Sequence, residues 1–137
     1  MELRLTYQEI TDFIEKKSGR ALPVVYGGPH TVRVSYEVDV LFKTASVGLD
    51  ITVEGIEGSA IILSYNGGAG IDFMIRQAIA TAQKRPGGEM IEMLDGNRIR
   101  LSLGGIQQAE AIFDRIELRD IRFDEQYAIV EFVPKAL

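Results

Sequence analysis

The sequence predicts an α+β fold in which a long, curved antiparallel β-sheet carries helices on its concave face. Three observations lead there. Within residues 31–65, apolar and polar residues alternate in three successive runs, and a period of two marks strands with one dry and one wet face. Elsewhere, three stretches repeat apolar residues at helical spacing, which supplies the cover a dry face needs. The resulting order, α-β-β-β-α-β-β-α-β-β, has neither a βαβ alternation nor an internal repeat, so the strands are expected to be antiparallel. A chain of 137 residues is expected to form a single domain, 1–137, burying roughly two thirds of its unfolded surface.

The first helix is expected from Tyr7 to Ser18. Thr6-Tyr7-Gln8-Glu9 has the spacing of a capping box, Ile10, Phe13 and Ile14 share a face, and Gly19 suits a left-handed stop. Leu22 to Tyr26 reads as extended, with Pro23 favouring an edge. A turn at residues 27–30 leads into a long strand, 31–43, and a second strand, 45–54. Strands this long bend or carry a bulge, and Thr44 and Gly48 are the expected places. Glu54 to Gly58 reads as a turn before a third strand, 60–65.

After the loop Gly67-Gly68-Ala69-Gly70, Ile71, Met74, Ile75, Ala78, Ile79 and Ala82 give the best helical pattern in the chain. Lys84 and Arg85 suit the negative end of that helix, and Pro86-Gly87-Gly88 stops it. Residues 90–94 and 98–103 flank Asp95-Gly96-Asn97 as a hairpin. Ile106, Ala109, Ile112 and Phe113 predict a third helix. In the strand 116–123 the apolar parity slips, which a bulge near Arg119 or Asp120 would correct. The last strand, 127–133, is apolar on both faces, so it is either central and covered twice or faces a partner.

Composition excludes several functions. The net charge of −5 speaks against nucleic acid and against strong attraction to an anionic membrane surface. The absence of cysteine excludes disulfides and thiolate chemistry. No apolar run approaches the roughly 20 residues of a membrane span. The opening Met1-Glu2-Leu3-Arg4-Leu5-Thr6 is not a signal peptide, so a cytoplasmic protein is expected, or a periplasmic or cell-envelope one if a leader was removed.

No residue set calls for catalysis, a metal or a cofactor. Gly67 to Gly70 lies between a strand and a helix, but a dinucleotide pattern would need Gly where Phe73 stands, and Asp72 opposes a bound anion. His30, the single histidine, sits in a turn with no framed nucleophile. Asp120, Asp124 and Glu125 lack calcium-loop spacing and read as a solvated hairpin turn.

The apolar faces carry more. Phe13, Ile14, Met74, Ile75, Ile79 and Phe113 all need burial, and the methionines around them adapt to irregular volumes. They either fill a core or line an apolar cavity that helices and bent sheet leave open.

Three stretches resemble small bacterial members of the tubular lipid-binding (TULIP) superfamily. They are Leu5-Thr6-Tyr7-Gln8-Glu9-Ile10, the segment Leu49 to Ile56 running into Ile61 to Tyr65, and Ile99 to Leu103 leading through Ile106 and Phe113 into Ile116 to Phe123. The resemblance is one of apolar spacing and brings no active-site residues. It implies a long twisted sheet around a helix with an apolar groove for acyl chains. Such proteins are often exported or membrane-tethered, and neither a leader nor a lipidation cysteine is present in this sequence.

The expected function is therefore a non-enzymatic binding module for a lipid or another apolar ligand, its pocket lined by Phe13, Ile14, Met74, Ile75, Ile79 and Phe113. The alternative is a protein-interaction or self-assembling domain with a filled core, a homodimer through strand 127–133.

Overall fold

The computed structural model describes residues 1–19, 22–67, 70–84, 90–103 and 111–135. In chain order the elements are β1 (Glu2–Thr6), α1 (Tyr7–Ser18), β2 (Val24–Gly28), β3 (Thr31–Val40), β4 (Lys43–Glu57), β5 (Ala60–Asn66), α2 (Ile71–Gln83), β6 (Ile91–Met93), β7 (Arg98–Ser102), β8 (Ile116–Phe123) and β9 (Tyr127–Pro134). The protein is α+β, and among the described residues every strand pairing is antiparallel. The strands form two sheets where the sequence predicts one: a three-stranded sheet ordered β1-β9-β8 and a six-stranded sheet ordered β2-β3-β4-β5-β7-β6. The split arises at the N-terminus. Residues 2–6, which carry no strand expectation, pair along β9 from Glu2↔Glu131 to Thr6↔Tyr127 and build a sheet with the far end of the chain.

Local chemistry fixes most element ends. The Thr6 hydroxyl accepts from the Glu9 amide at 3.1 Å and the Glu9 carboxylate accepts from the Thr6 amide at 3.0 Å, so both capping-box bonds are made. Gly19 ends α1 at φ 78° and its amide returns to the Glu15 carbonyl. The Thr11 hydroxyl accepts from the Val24 amide, which ties α1 to β2, the edge strand that Pro23 leads into. The strand parity of β8 is corrected where expected, by a register shift between Leu118 and Asp120.

The hairpin of β3 and β4 differs from expectation at both ends. The turn is Leu41-Phe42, so β3 stops at Val40 and β4 already begins at Lys43. The bulge lies at Glu54, between the pairs Val53↔Leu63 and Gly55↔Ile62, and not at Thr44 or Gly48. It lets β4 continue to Glu57, which moves the turn to residues 58–59. Its consequence for packing is direct: Val53 and Ile56, of opposite parity, both face the same apolar cluster. Of the third predicted helix, residues 111–113 are helical, while 104–110 lie outside the described residues, as do Gly68, Ala69, Arg85 and the stop Pro86-Gly87-Gly88.

The last strand is central. β9 pairs with β1 on one side and β8 on the other, so both of its edges are taken, and the adjacent Ala128 and Ile129 are both buried. Ile129 lies opposite Arg4 on β1 and Arg122 on β8, which sets the aliphatic stems of two arginines beside it on that face. The Arg122 guanidinium donates to Glu2 at 2.6 Å and to Glu131 at 3.1 Å, and Asp120 stands 3.8 Å away.

Ala60 and Ile62 of β5 are buried on one face of the six-stranded sheet, and the opposite face has two covers. At one end Leu49, Tyr65 and Ile71 form a buried cluster with Val47, Ile51, Ile75, Met93 and Ile99, so the cover is α2. At the other end Ile61 clusters with Leu118 and Ile121, joined by Val53, Leu63, Phe113, Phe123 and Val130, so the cover is the three-stranded sheet. A backbone bond stitches the two sheets at the turn before β3, where Phe123 N–H of β8 donates to the Pro29 carbonyl at 2.8 Å, and the same turn is tied to β4 by Val53 N–H donating to the His30 carbonyl, also at 2.8 Å.

Candidate functional site

The dry face beneath α2 is the candidate site. The helix forms because Ile71, Ile75 and Ile79 repeat at i+4 and stack on one side. Gly67 lets the loop approach that helix closely, since a Cβ there would lie 2.7 Å from the Ile71 side chain. Gly70 takes the start of the helix at φ 89°, a conformation that glycine adopts without strain.

A polar tether fixes the helix to the sheet. The Tyr65 hydroxyl donates to Asp72 in the first turn of α2, and Arg76 donates to the other oxygen of Asp72 at 3.0 Å. Asp72 is held below the usual carboxylate range, first by the Tyr65 hydroxyl and then by Arg76. Tyr65 is pushed above the usual phenol range by burial and then by its bond to Asp72. Both shifts lead away from neutrality, so neither group is set to exchange a proton near pH 7, and the pair acts as a clamp. At the other end of α2, the Gln83 amide donates to the Ile91 carbonyl at 2.8 Å.

The six residues expected to line a pocket fall in three places. Ile75 and Ile79 lie on the inner side of α2; Ile75 packs on the Leu49–Tyr65–Ile71 cluster and Ile79 is 8% exposed. Met74, on the same helix, is 40% exposed. Phe113 packs at the other end of the dry face, in the Ile61–Leu118–Ile121 cluster. Phe13 and Ile14 belong to α1, beside β1 and β2; Phe13 is 61% exposed and Ile14 half-buried. The structure thus groups Ile75 with Ile79 and sets Phe113 farther along the same face, with the α1 pair apart from them.

Among the clefts that open on the described residues, three stand out. One of about 380 Å³ is lined by Phe113 and Ile116 together with Asp114, Glu117 and Lys135. A smaller one, about 180 Å³, lies between His30, Glu54, Arg119 and Asp120. The third, about 440 Å³, is an open hollow at Tyr26, Phe123, Asp124 and Glu125. The His30 ring donates from Nδ1 to the Ile121 carbonyl at 3.3 Å, a role at the junction of the two sheets. The carboxylate of Asp124 accepts from the amides of Gln126 and Tyr127, which closes the hairpin turn between β8 and β9 and lowers its pKa.

Sequence reasoning missed Tyr65 and the tether it makes. The i,i+4 spacing of Asp72 and Arg76 is the signal that could have pointed to their ion pair, but nothing local names the partner strand. It also missed Leu41 and Phe42 as a turn. Among the described residues no group of three or more histidine and carboxylate side chains is placed to hold a metal ion, and no helix is long and apolar enough to cross a membrane. No protein-family model matches the chain, and no curated protein or solved structure matches it significantly.

Proposed function

We propose that the protein is a non-catalytic binding module for a lipid or another apolar ligand, held along the dry face of the six-stranded sheet between its two covers. The reading takes that sheet as curved around α2, with the acyl chain running from Ile75 and Ile79 towards Phe113. One observation carries it: the face is closed by two separate bodies, a helix and a second sheet, and among the described residues two separate buried clusters lie beneath them. Consistent with a core that still admits atoms, none of the described large side chains is completely buried. Each CH₂ of a ligand buried there would contribute about 0.8 kcal/mol, so a short length of chain gives useful affinity. The alternative of self-association through β9 has less support, because both edges of that strand are already paired.

Ile75→Trp tests the reading. The larger ring occupies the space beneath α2, so the variant folds, as judged by circular dichroism, and no longer retains or takes up a fatty acid. Unchanged uptake in the folded variant removes Ile75 and its neighbours from the site.

A further inference from the structure

The hairpin of β3 and β4 runs beyond both neighbours. β2 pairs with β3 as far as Val34, and β5 pairs with β4 only from Asp50 onward. Among the described residues the five pairs from Tyr36↔Val47 to Val40↔Lys43 have no further strand beside them. At about 3.4 Å per residue, that ribbon carries its turn roughly 17 Å past the sheet. At its end stand Leu41 and Phe42, exposed at 93% and 103%. Leu41 has φ 57°, in the left-handed region where a two-residue turn ordinarily takes Gly or Asn. Two rules are broken by the same pair of residues: large apolar side chains are left in water, and one of them occupies a backbone position that penalises it.

We infer that Leu41 and Phe42 form a wedge that inserts into the interface of a zwitterionic phospholipid bilayer and docks the protein on a membrane surface. The tip is convex and ends in two residues, which suits a fluid surface that moulds around it. The three clefts described above give a second copy of the chain no matching acceptor for it. They are lined by Asp114, Glu117 and Lys135, by Glu54, Arg119 and Asp120, or by Asp124 and Glu125, and none is an apolar socket for a phenyl ring. Lys43, exposed one residue behind the wedge, stands at the level of the lipid phosphates. The net charge of −5 and the exposed Glu37 on the same ribbon exclude an anionic surface as the driving partner. Docking goes beyond the ligand reading and stands without it.

The chain has no tryptophan, so Phe42→Trp installs a single reporter. On adding phosphatidylcholine vesicles, its emission shifts to the blue and is quenched by bromine on the acyl chains. Phe73→Trp, on the outer side of α2 and also exposed, shows neither effect. Co-sedimentation of the unsubstituted chain with these vesicles falls at least tenfold in Leu41→Asp/Phe42→Asp and in the milder Leu41→Gly/Phe42→Ser, and added phosphatidylserine does not raise it. Ile75→Trp still sediments with vesicles, so docking and ligand uptake are read separately. The inference is overturned by an unsubstituted chain that stays in the supernatant, by equal sedimentation of the folded tip variants, by an unquenched tryptophan at 42, or by a dimer that the tip substitutions dissociate.

Discussion

The hydroxyl of Tyr65, the last inward residue of β5, donates to the carboxylate of Asp72, the second residue of α2. This one bond spans the loop that connects strand to helix and sets how closely α2 lies on the sheet. Removing it by Tyr65→Phe is expected to destabilise the fold by about 1 kcal/mol, the usual net contribution of an intramolecular hydrogen bond, since Asp72 is exposed to solvent. The effect depends on pH in a stated direction. Asp72 has a depressed pKa in the folded chain, so its contribution is complete above the unfolded value near 4 and is lost as pH falls through the folded value. Urea melts should therefore show a constant gap between the native chain and Tyr65→Phe from pH 7 to 5, narrowing below about pH 4.

Gly67→Ala should damage the same region from the other side. The added methyl meets the buried side chain of Ile71, including its Cβ, which is fixed to the helix backbone. A loss of about 1–3 kcal/mol in urea melts is expected, the usual effect of overpacking. Gly55→Ala, where a Cβ would meet nothing within 4 Å, serves as the control.

Arg122→Ala should leave the carboxylates of Glu2, Asp120 and Glu131 facing one another on the three-stranded sheet. The melting temperature falls at neutral pH and low salt, and the fall shrinks as salt screens the repulsion. Glu2 is held below its ordinary pKa chiefly by Arg122, so the native chain gains stability as pH rises from the folded value of Glu2 to the unfolded one, and the gain is complete above it. In the variant that gain is smaller, and the two melting curves approach each other below pH 4.

Leu41→Gly should raise stability. A left-handed L-residue costs about 1–2 kcal/mol, and the extra unfolded freedom of glycine returns only about half of that. A net gain of about 0.5–1 kcal/mol in urea melts is expected, together with weaker vesicle binding. A loss of stability would show that Leu41 makes contacts that outweigh its backbone strain.

What the sequence disclosed follows from the range of the interactions involved. The box at Thr6 and Glu9, the stop at Gly19, the hairpin at Asp95-Gly96-Asn97 and the bulge beside Arg119 each depend on residues a few positions apart, and each is found as read. The turn at Leu41-Phe42 was hidden because both residues are apolar and Phe42 keeps the phase of the strand before it. Gly55 suggested a turn, but the bulge at Glu54 absorbs the break and β4 continues. β1 gave no signal because its partner is β9, well over a hundred residues away, and its own side chains are mostly exposed. For the site, helical spacing showed which sides of α1 and α2 are apolar but not what lies opposite them. Ile79 is buried, while Met74 on the same stripe is exposed and Phe13 sits on a different helix beside different strands.

The face beneath α2 is proposed to hold an apolar molecule. Native mass spectrometry of the purified chain, before and after incubation with a long-chain fatty acid and with an organic extract run in parallel, tests it most directly. The expected result is a species heavier than the bare chain, whose extra mass is released by solvent, identified as an acyl-containing compound, and absent from Ile75→Trp. A bare mass in the unsubstituted chain, persisting after incubation, would contradict it.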